Sequence, residues 1–380
     1  MKEARKVYIE EIGTKKVESD EDDSDYIKRI PYHDIDGTGK LVFVTGANGY
    51  LGLHVVQQLL MKNFKVKAGV RSLLNVSAML NELKTIYPNN LVDIVEARLE
   101  DFTTEWIKLT KGCYGIIHTA FPKVEGSVGN EIDYLYPAIE GSLNVLVAAN
   151  KNKIEKVVFT GSLSSVKGPE YKAVYKGHDW ADAEKLTVIE RAKLITEKTA
   201  NRYCRDNHQI KLTMLNIGML LGPSLSDNYN SPSCSVIKNL ASGSVDSIMR
   251  MHIGMVDVRD AAKCHILALM HPDSAGKRIL CLENSHWFEE IIRTINENYR
   301  SVSFTMPKKL VPYWSLKLSS FFDPDIKTIL PFYNKEVYFD KGEMDQNILL
   351  EDYTAFTKTV LDMLVDMKQK GCLPNLVSLL

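Results

Sequence analysis

The chain contains 380 residues, which corresponds to about two or three domains of ordinary size. Hydrophobic residues make up 45% of it and charged residues 25%, as in globular proteins that bury a large core. The 47 lysines and arginines are balanced by 48 acidic residues, which argues against a general nucleic-acid binder. No apolar run approaches the roughly 18 residues of a membrane span, so no membrane association is expected.

The cysteines and histidines show no metal-ligand pattern. The six cysteines lie far apart without a Cys-x-x-Cys pair, which indicates reduced thiols. The nine histidines show no His-Glu-x-x-His spacing. The N-terminal residues lack the apolar core of a secretory signal. We therefore expect a cytoplasmic protein without a bound metal.

Residues 1–39 differ from the rest of the chain. Six acidic side chains fall between Glu18 and Asp25, and such a run buries too little apolar surface to offset the entropy of ordering. The sequence predicts a disordered acidic tail over 1–39, and a solvated extension is favoured over a partner-binding arm.

From Lys40 onward, short apolar runs alternate with helical periodicity. The pattern predicts strands over 41–45, 64–70, 92–96, 114–120, 156–160 and 211–215, and helices ending near 62, over 131–151 and near 188–206. Such alternation is typical of a parallel sheet covered by helices on both faces. We predict an α/β fold in which 40–224 and 252–284 form a Rossmann-type doubly wound parallel sheet.

Beyond Pro223 the alternation stops. A polar, turn-rich loop follows at 225–233, and 285–350 mixes prolines and aromatic residues without strand–helix order. Helical periodicity returns over 354–369. We predict a smaller C-terminal substrate (lid) domain from 225–251 and 285–376. Its aromatic residues fit either an apolar substrate or a core of their own: Trp287, Phe288, Tyr313, Trp314, Phe321 and Phe322.

Three glycines follow the first predicted strand, in the segment VTGANGYLG at 44–52. Gly46 permits a tight turn, Gly49 lets the backbone approach a pyrophosphate, and Gly52 lets the helix pack closely on the strand. The helix start then offers free N–H groups to phosphates. At a strand–helix junction, this pattern indicates a dinucleotide site rather than a turn without ligand.

Arg71 ends the second predicted strand, 19 positions after Gly52. An acidic residue there would bind the ribose hydroxyls of NAD, whereas an arginine suits the extra phosphate of NADP. The other interpretation is a solvated surface arginine. The sequence favours NADP(H) as the cofactor.

Six segments occur in a characteristic order: VTGANGYLG, GVRS, GIIHTAFP, KVVFTGSLSSV, NIGMLLGP and MVDVRDAAKCHILAL. Together they resemble the extended short-chain dehydrogenases of the NAD-dependent epimerase/dehydratase superfamily, most closely the dihydroflavonol reductase-like and cinnamoyl-CoA reductase-like branch. The resemblance covers about 40–374 and implies NADPH-dependent reduction of an aldehyde or ketone, or the reverse oxidation. It assigns cofactor contacts to Gly46, Gly49, Tyr50, Leu51, Gly52, Arg71, Leu99, Ala120, Lys193, Ile217 and Leu220.

In this family a serine and a tyrosine bind the substrate oxygen, and the tyrosine donates the proton. A lysine four residues later binds the nicotinamide ribose. The resemblance makes Ser162 the serine and Lys193 the lysine, but the tyrosine position is Ile189, which has no proton to donate. General acid–base catalysis contributes about 10²–10⁴-fold in rate. We therefore expect hydride transfer to be strongly slowed.

Two further positions depart from the family pattern. Arg98 stands where an aspartate usually faces the adenine, and Ile217 replaces a proline near the nicotinamide. Tyr171, Tyr175 and His178, in the loop after the Ser162 strand, are candidate proton donors. Ordinary loop residues are the favoured interpretation of all three, because catalytic geometry tolerates only small displacements.

Two functions are open at this stage. One is an NADPH-dependent reductase that acts on a small carbonyl compound through Ser162, Lys193 and another acid or a water molecule. The other is an NADP(H)-binding pseudoenzyme with a regulatory or scaffolding role and no substrate. A nucleotide-sugar epimerase or dehydratase ranks lower, because it needs the same tyrosine. Relatives often pair through two helices, here 131–151 and 188–205, so a homodimer is compatible with the sequence.

Overall fold

The computed structural model describes residues 28–87, 91–122, 131–168, 170–227, 229, 231–242, 244–245, 247–301, 309–373 and 376–378. The acidic run between Glu18 and Asp25 lies outside these residues. Within them, no helix is both long enough and apolar enough to cross a membrane.

The strands and helices follow the order expected of an α/β protein. The strands are β1 (Leu41–Thr45), β2 (Lys65–Val70), β3 (Val92–Glu96), β4 (Gly115–His118), β5 (Lys156–Ser162), β6 (Val174–Lys176), β7 (Lys211–Ile217), β8 (Met219–Leu221), β9 (Ser247–Ile248), β10 (His252–Asp257), β11 (Arg278–Cys281), β12 (Asn284–Trp287), β13 (Tyr299–Ser301), β14 (Lys309–Leu310), β15 (Tyr338–Asp340) and β16 (Leu376–Ser378). The α-helices are α1 (Tyr50–Met61), α2 (Ala78–Ile86), α3 (Thr103–Thr110), α4 (Glu131–Lys151), α5 (Val188–Asp206), α6 (Pro232–Ser242), α7 (Val258–Met270), α8 (Phe288–Asn298), α9 (Tyr313–Ser319), α10 (Pro324–Ile329), α11 (Glu343–Ile348) and α12 (Phe356–Gln369).

Seven strands form the central sheet, in the order β11-β7-β5-β4-β1-β2-β3. Every neighbouring pair in this sheet runs parallel. The chain builds one half of the sheet outward from β1 to β3, then returns to the centre and builds the other half, which is the doubly wound topology. The predicted Rossmann-type α/β fold is confirmed.

Helices cover both faces of this sheet. Buried residues of α1, α2 and α7 form the cluster on one face, and those of α3, α4 and α5 form the cluster on the other. Because both faces are covered, the central strands are continuously apolar, and residues 42–44 of β1 are completely buried.

A separate apolar cluster lies outside the sheet. It draws buried residues from α6, α8 and α12, including Ile237, Ile291 and Leu364. Residues 285–350, in which the sequence showed no strand–helix order, contain the helices α8 to α11. In α8, Ile291, Ile292 and Ile295 are spaced so that they share one buried face among acidic and polar residues.

The aromatic residues of this region do not all enter a core. Trp314, Phe321 and Phe322 are 71%, 76% and 83% exposed, respectively. The interpretation of these three side chains as core residues was therefore wrong. Their exposure follows from their position on and just after the short helix α9, which buries only Leu316.

Residues 28–39 also differ from the prediction, which placed them in a disordered tail. Ile35 is 6% exposed, and Ile30 and Tyr32 pack against the cluster that contains α1. The Tyr32 hydroxyl donates to Gln58 Oε1 of α1 at 2.8 Å. These apolar side chains anchor the segment, although the acidic run before them suggested otherwise.

Candidate functional site

The predicted site residues converge at one edge of the sheet, where the parallel strands end. Ser162, the last residue of β5, lies directly opposite Ile217, the last residue of β7. Thr45 of β1 lies opposite His118 of β4 in the same way. In doubly wound folds, ligands bind in the crevice at this carboxyl edge.

The turn between β1 and α1 requires two of its glycines on steric grounds. Gly46 has φ of +65°, which side-chain-bearing residues rarely adopt, and a Cβ there would lie 2.9 Å from the backbone of Ala120. A Cβ on Gly52 would lie 2.1 Å from the Gly46 carbonyl oxygen. The turn is therefore closed tightly, and α1 starts against the end of β1.

The N-terminus of α1 has no side-chain cap. Gly49 occupies the capping position and offers no acceptor, so no side chain engages the first N–H groups of the helix. Tyr50 and Leu51 bring these backbone N–H groups to the sheet edge. The Tyr50 hydroxyl donates to the Gly222 carbonyl at 2.6 Å, and Leu51 is 7% exposed, so both side chains serve packing. The arrangement suits a phosphate group at the helix start.

Two arginines follow the two strands on one side of β1: Arg71 after β2 and Arg98 after β3. Arg71 comes directly after β2 and is exposed to solvent. Arg98 Nε donates to the Arg71 carbonyl at 3.3 Å, and its guanidinium is paired with Glu96 at 2.7 Å. Arg71 is therefore placed at the sheet edge, close to the position where the sequence pattern expects the second phosphate of NADP.

Leu99, Ala120, Ile217 and Leu220 fill the remaining predicted cofactor positions. Leu99 is buried against α4, since a Cβ on Gly141 would lie 2.4 Å from its side chain. The Ala120 N–H donates to Thr45 Oγ1 at 3.1 Å. Ile217 ends β7, and Leu220 lies in β8, which pairs with β10. All four lie near the carboxyl edge, although no single contact joins them.

His118 belongs to this edge and was missed by the sequence analysis. Its Nδ1 lies 2.8 Å from Thr45 Oγ1, and burial lowers its pKa to about 4. The ring is therefore neutral near pH 7 and ties β4 to β1. The GIIHTAFP segment contained it, but no ligand spacing drew attention to it.

Ser162 is oriented by its neighbours. Its N–H donates to Asn216 Oδ1 at 3.0 Å, and its Oγ accepts hydrogen bonds from the hydroxyl and N–H of Ser164, at 2.9 and 3.3 Å. Because the oxygen already accepts two hydrogen bonds, its own proton is left to donate. Such a hydroxyl can bind a carbonyl oxygen.

Ile189 and Lys193 lie one helical turn apart on α5. The start of α5 is fixed by a capping box in which Thr187 and Glu190 exchange side-chain and backbone hydrogen bonds. Residues four apart face the same side of a helix. Ile189 is 38% exposed, so its side chain borders open space rather than the core.

The Lys193 ammonium lies in a largely desolvated position. Burial lowers its pKa, and Glu190 partly offsets that effect. Its Nζ lies 5.5 Å from the ring centre of Phe121. A cavity of about 30 Å³ beside it, the volume of about one water molecule, is lined by side chains that include His118, Thr160 and Glu197.

A buried ion pair lies behind Ser162 and was also missed. Glu197, four residues after Lys193, is 2% exposed and accepts from Arg278 Nε of β11 at 2.6 Å. Asn216 Nδ2 donates to the same carboxylate at 3.4 Å, while Asn216 Oδ1 holds the Ser162 N–H. The pair therefore supports the strand end that carries Ser162. Because Glu197 and Arg278 lie 81 positions apart in the sequence, no local pattern predicts their contact.

The three candidate proton donors in the loop after β5 are otherwise occupied or exposed. The Tyr175 hydroxyl donates to the Glu170 carbonyl at 2.8 Å, and its ring is buried. The Tyr171 hydroxyl donates to the Glu336 carbonyl at 3.0 Å. His178 is exposed on the loop. Tyr175 lies in the short strand β6 rather than in a loop. Tyr171 and His178 lie outside the strands, as the favoured interpretation expects.

Comparison with known proteins gives a consistent result. The NAD dependent epimerase/dehydratase family matches residues 42–281. A putative uncharacterized oxidoreductase of Saccharomyces cerevisiae is 31% identical over 284 residues, which cover 68% of this chain and 81% of that protein. A cinnamoyl-CoA reductase of Medicago truncatula is 29% identical over 286 residues, 71% of this chain and 84% of that one. The NADPH-dependent methylglyoxal reductase of Saccharomyces cerevisiae is 27% identical over 290 residues, with coverages of 70% and 84%.

Solved structures share the fold. The yeast methylglyoxal/isovaleraldehyde reductase complexed with NADPH aligns with a TM-score of 0.69 at 22% identity, over 87% of this chain and 99% of its own. Vestitone reductase from alfalfa aligns with a TM-score of 0.66 at 21% identity, with the same coverages. The family match covers more than half of the chain and agrees with the order of motifs along it. The chain belongs to the NAD dependent epimerase/dehydratase family, as its sequence predicted.

Proposed function

We propose that this chain binds NADP(H) at the carboxyl edge of its sheet and acts there on a small carbonyl compound. The observation that carries the proposal is the closed glycine turn, Gly46 to Gly52, against the uncapped start of α1. The relatives named as NADPH-dependent and cinnamoyl-CoA reductases support the same cofactor and reaction class. When bound, NADPH would supply a hydride to the carbonyl carbon.

In this proposal the first half of the sheet holds the cofactor. Backbone N–H groups at Tyr50 and Leu51 bind the pyrophosphate, which Gly49 lets approach the backbone, while the Gly49 N–H itself closes the turn onto the Gly46 carbonyl at 2.9 Å. Arg71 binds the additional phosphate of NADP through its guanidinium. Leu99 and Ala120 border the adenosine half. A side chain at Gly46 or Gly52 would fill the space that the backbone needs, which fits a tightly held dinucleotide.

The second half of the sheet holds the reacting groups. Ser162 donates a hydrogen bond from its hydroxyl to the substrate oxygen, since its lone pairs are engaged by Ser164. Lys193 binds the nicotinamide ribose, and Ile217 and Leu220 border the nicotinamide. Glu197 and Arg278 act as positioning residues behind Ser162.

Ile189 favours a second candidate function. It faces the same side of α5 as Lys193 but cannot release a proton, and Tyr171 and Tyr175 donate their hydroxyls elsewhere. A chain that binds NADP(H) without transferring hydride, with a regulatory or scaffolding role, is therefore the alternative. With Ser162 alone, the substrate oxygen would receive one hydrogen bond instead of the two that a serine and a tyrosine supply in the family.

NADPH oxidation by the purified full-length chain, followed with a panel of aldehydes and ketones, tests these two candidates. Turnover by the natural sequence supports the reductase. NADPH binding without turnover, together with turnover by Ile189→Tyr, supports the pseudoenzyme. The absence of any NADPH binding would refute both, because both rest on the same glycine turn.

The proposal extends to organisation. We propose that 40–224 and 252–284 form the cofactor domain and that 225–251 and 285–376 form the substrate domain. The cluster that joins α6, α8 and α12 supports this division. We also propose a homodimer through α4 and α5 and a cytoplasmic location. A monomer in sedimentation at micromolar concentration would refute the dimer.

A further inference from the structure

Lys167, five residues after Ser162, places an ammonium group between the turn that follows β5 and the C-terminal region. Ser162 caps the short helical turn 163–165, and the Lys167 N–H donates to the Leu163 carbonyl at 3.0 Å, so Lys167 follows directly on that turn. Its Nζ lies 4.1 Å from the ring centre of Phe332, which belongs to the C-terminal region. The side chain thus bridges the end of β5 and the region that would form the lid.

This ammonium has no anionic partner within the part of the chain that is described. Among the described residues, no carboxylate lies within ion-pair distance of its Nζ, and no acceptor forms a hydrogen bond with it. Burial lowers its pKa, and Glu190 raises it by a smaller amount. The face of an aromatic ring compensates only partly for the loss of water around a cation.

One acidic group, Glu190, interacts electrostatically with Lys167 without forming an ion pair with it. The Glu190 carboxylate accepts from the N–H and hydroxyl of Thr187, at 3.2 and 2.9 Å, and is held at the helix start. Glu190 acts on Lys193 in the same way as on Lys167, so the two lysines flank one carboxylate.

We propose that Lys167 is an anion-binding subsite of the cleft and that the carbonyl compound bound there carries an anionic oxygen group. The inference rests on the proposed function for the reacting carbonyl, but the anion contact is a property of Lys167 itself. A lysine ammonium is a compact point charge, so it can bind either a carboxylate or a phosphate and does not require one fixed hydrogen-bond geometry. Both groups therefore share the same subsite chemistry.

The test compares aromatic aldehydes that carry an anionic or a neutral group opposite the aldehyde. 4-Formylbenzoate, 4-formylphenyl phosphate and the neutral methyl 4-formylbenzoate are titrated by calorimetry into the full chain saturated with NADP⁺, which cannot reduce them. We expect both anions to bind about tenfold or more tightly than the neutral ester. Preference for one anion identifies which group the subsite takes.

Variants assign the preference to its residue. Lys167→Met should bring the affinities for the two anions to within about twofold of the affinity for the ester. Lys167→Arg should keep most of the preference for the anions. Lys335→Met is the matched control, because Lys335 also lies over an aromatic ring, Tyr171 at 4.4 Å, but is exposed. Glu190→Gln should tighten the binding of the anions by removing a repulsive charge while retaining the capping box.

Three results would overturn the inference: equal binding of anions and ester, a preference that survives in Lys167→Met, or no binding of any of the aldehydes. Benzoate and benzamide are titrated in parallel without nucleotide, so that the subsite is judged even if NADP⁺ fails to bind. Failure of NADP⁺ binding refutes the proposed function. Loss of the benzoate preference refutes the subsite.

Discussion

Restoring a hydroxyl at Ile189 is the most informative perturbation of the proposed site. Four residues of α-helix span about 6 Å, and the capping box fixes where α5 begins, so a tyrosine at 189 lies one turn from Lys193. Ile189 is 38% exposed, and isoleucine and tyrosine have similar helix propensities. The change in the free energy of unfolding should therefore stay within about 0.5 kcal/mol.

The expected gain follows from the chemistry that a phenol supplies. General acid catalysis is worth about 10²–10⁴-fold, which corresponds to about 3–5 kcal/mol of activation free energy. The nearby Lys193 cation would favour the ionised tyrosine and so lower its pKa. We expect Ile189→Tyr to raise the rate of NADPH oxidation with an aldehyde by about 100-fold or more over the natural chain.

The assay is the loss of NADPH absorbance with a fixed aldehyde panel, and Ile189→Phe is the matched control, since it adds the ring without the hydroxyl. Lys193→Met in the Ile189→Tyr background should remove the gain. A folded Ile189→Tyr protein that binds NADPH but is no faster than Ile189→Phe would refute the assignment of position 189. Equal rates for the natural chain and Ile189→Tyr would show that another proton donor already works there.

Three further predictions concern the scaffold. Gly52→Ala should destabilise the fold by about 1–3 kcal/mol and weaken NADPH binding, because its Cβ would lie 2.1 Å from the Gly46 carbonyl oxygen; an unchanged melting temperature would contradict this. Glu197→Gln should cost about 3–5 kcal/mol in urea unfolding, because the buried Arg278 would lose its carboxylate partner and keep only neutral ones. Burial lowers the pKa of His265 to about 4, so the unfolded chain binds the proton first and stability falls between about pH 6.5 and 4. His265→Gln should reduce the loss of stability at pH 5.5 by about 1 kcal/mol. An unchanged pH dependence of stability would contradict the conclusion that the His265 ring is buried and neutral.

The sequence predicted the sheet well because each of its signals is local. Apolar runs identified β1 and β3 to the residue, and the periodicity of 131–151 and the region near 188–206 identified α4 and α5. The glycine turn was equally easy to predict from the sequence, because the positive φ at position 46 is a local requirement that glycine meets. These features place the glycine turn at the junction of β1 and α1, where the cofactor site is proposed.

The features that were missed depend on long-range contacts or on weak local patterns. Glu197 and Arg278 form their ion pair across 81 positions, and Lys167 meets Phe332 only after the C-terminal region folds back. Residues 28–39 follow an acidic run, so the apolar anchor at Ile35 was hidden by its neighbours. In 285–350, the surrounding mixture of prolines and aromatic residues hid the short run of helical periodicity that forms α8.

Equilibrium binding of NADPH and NADH to the full-length chain tests the central claim most directly. We expect NADPH to bind about tenfold or more tightly than NADH, as a charge-assisted contact between Arg71 and phosphate implies. Arg71→Ala should weaken NADPH binding by a similar factor and leave NADH binding almost unchanged. Absence of NADPH binding, or equal losses of both nucleotides in Arg71→Ala, would contradict the account.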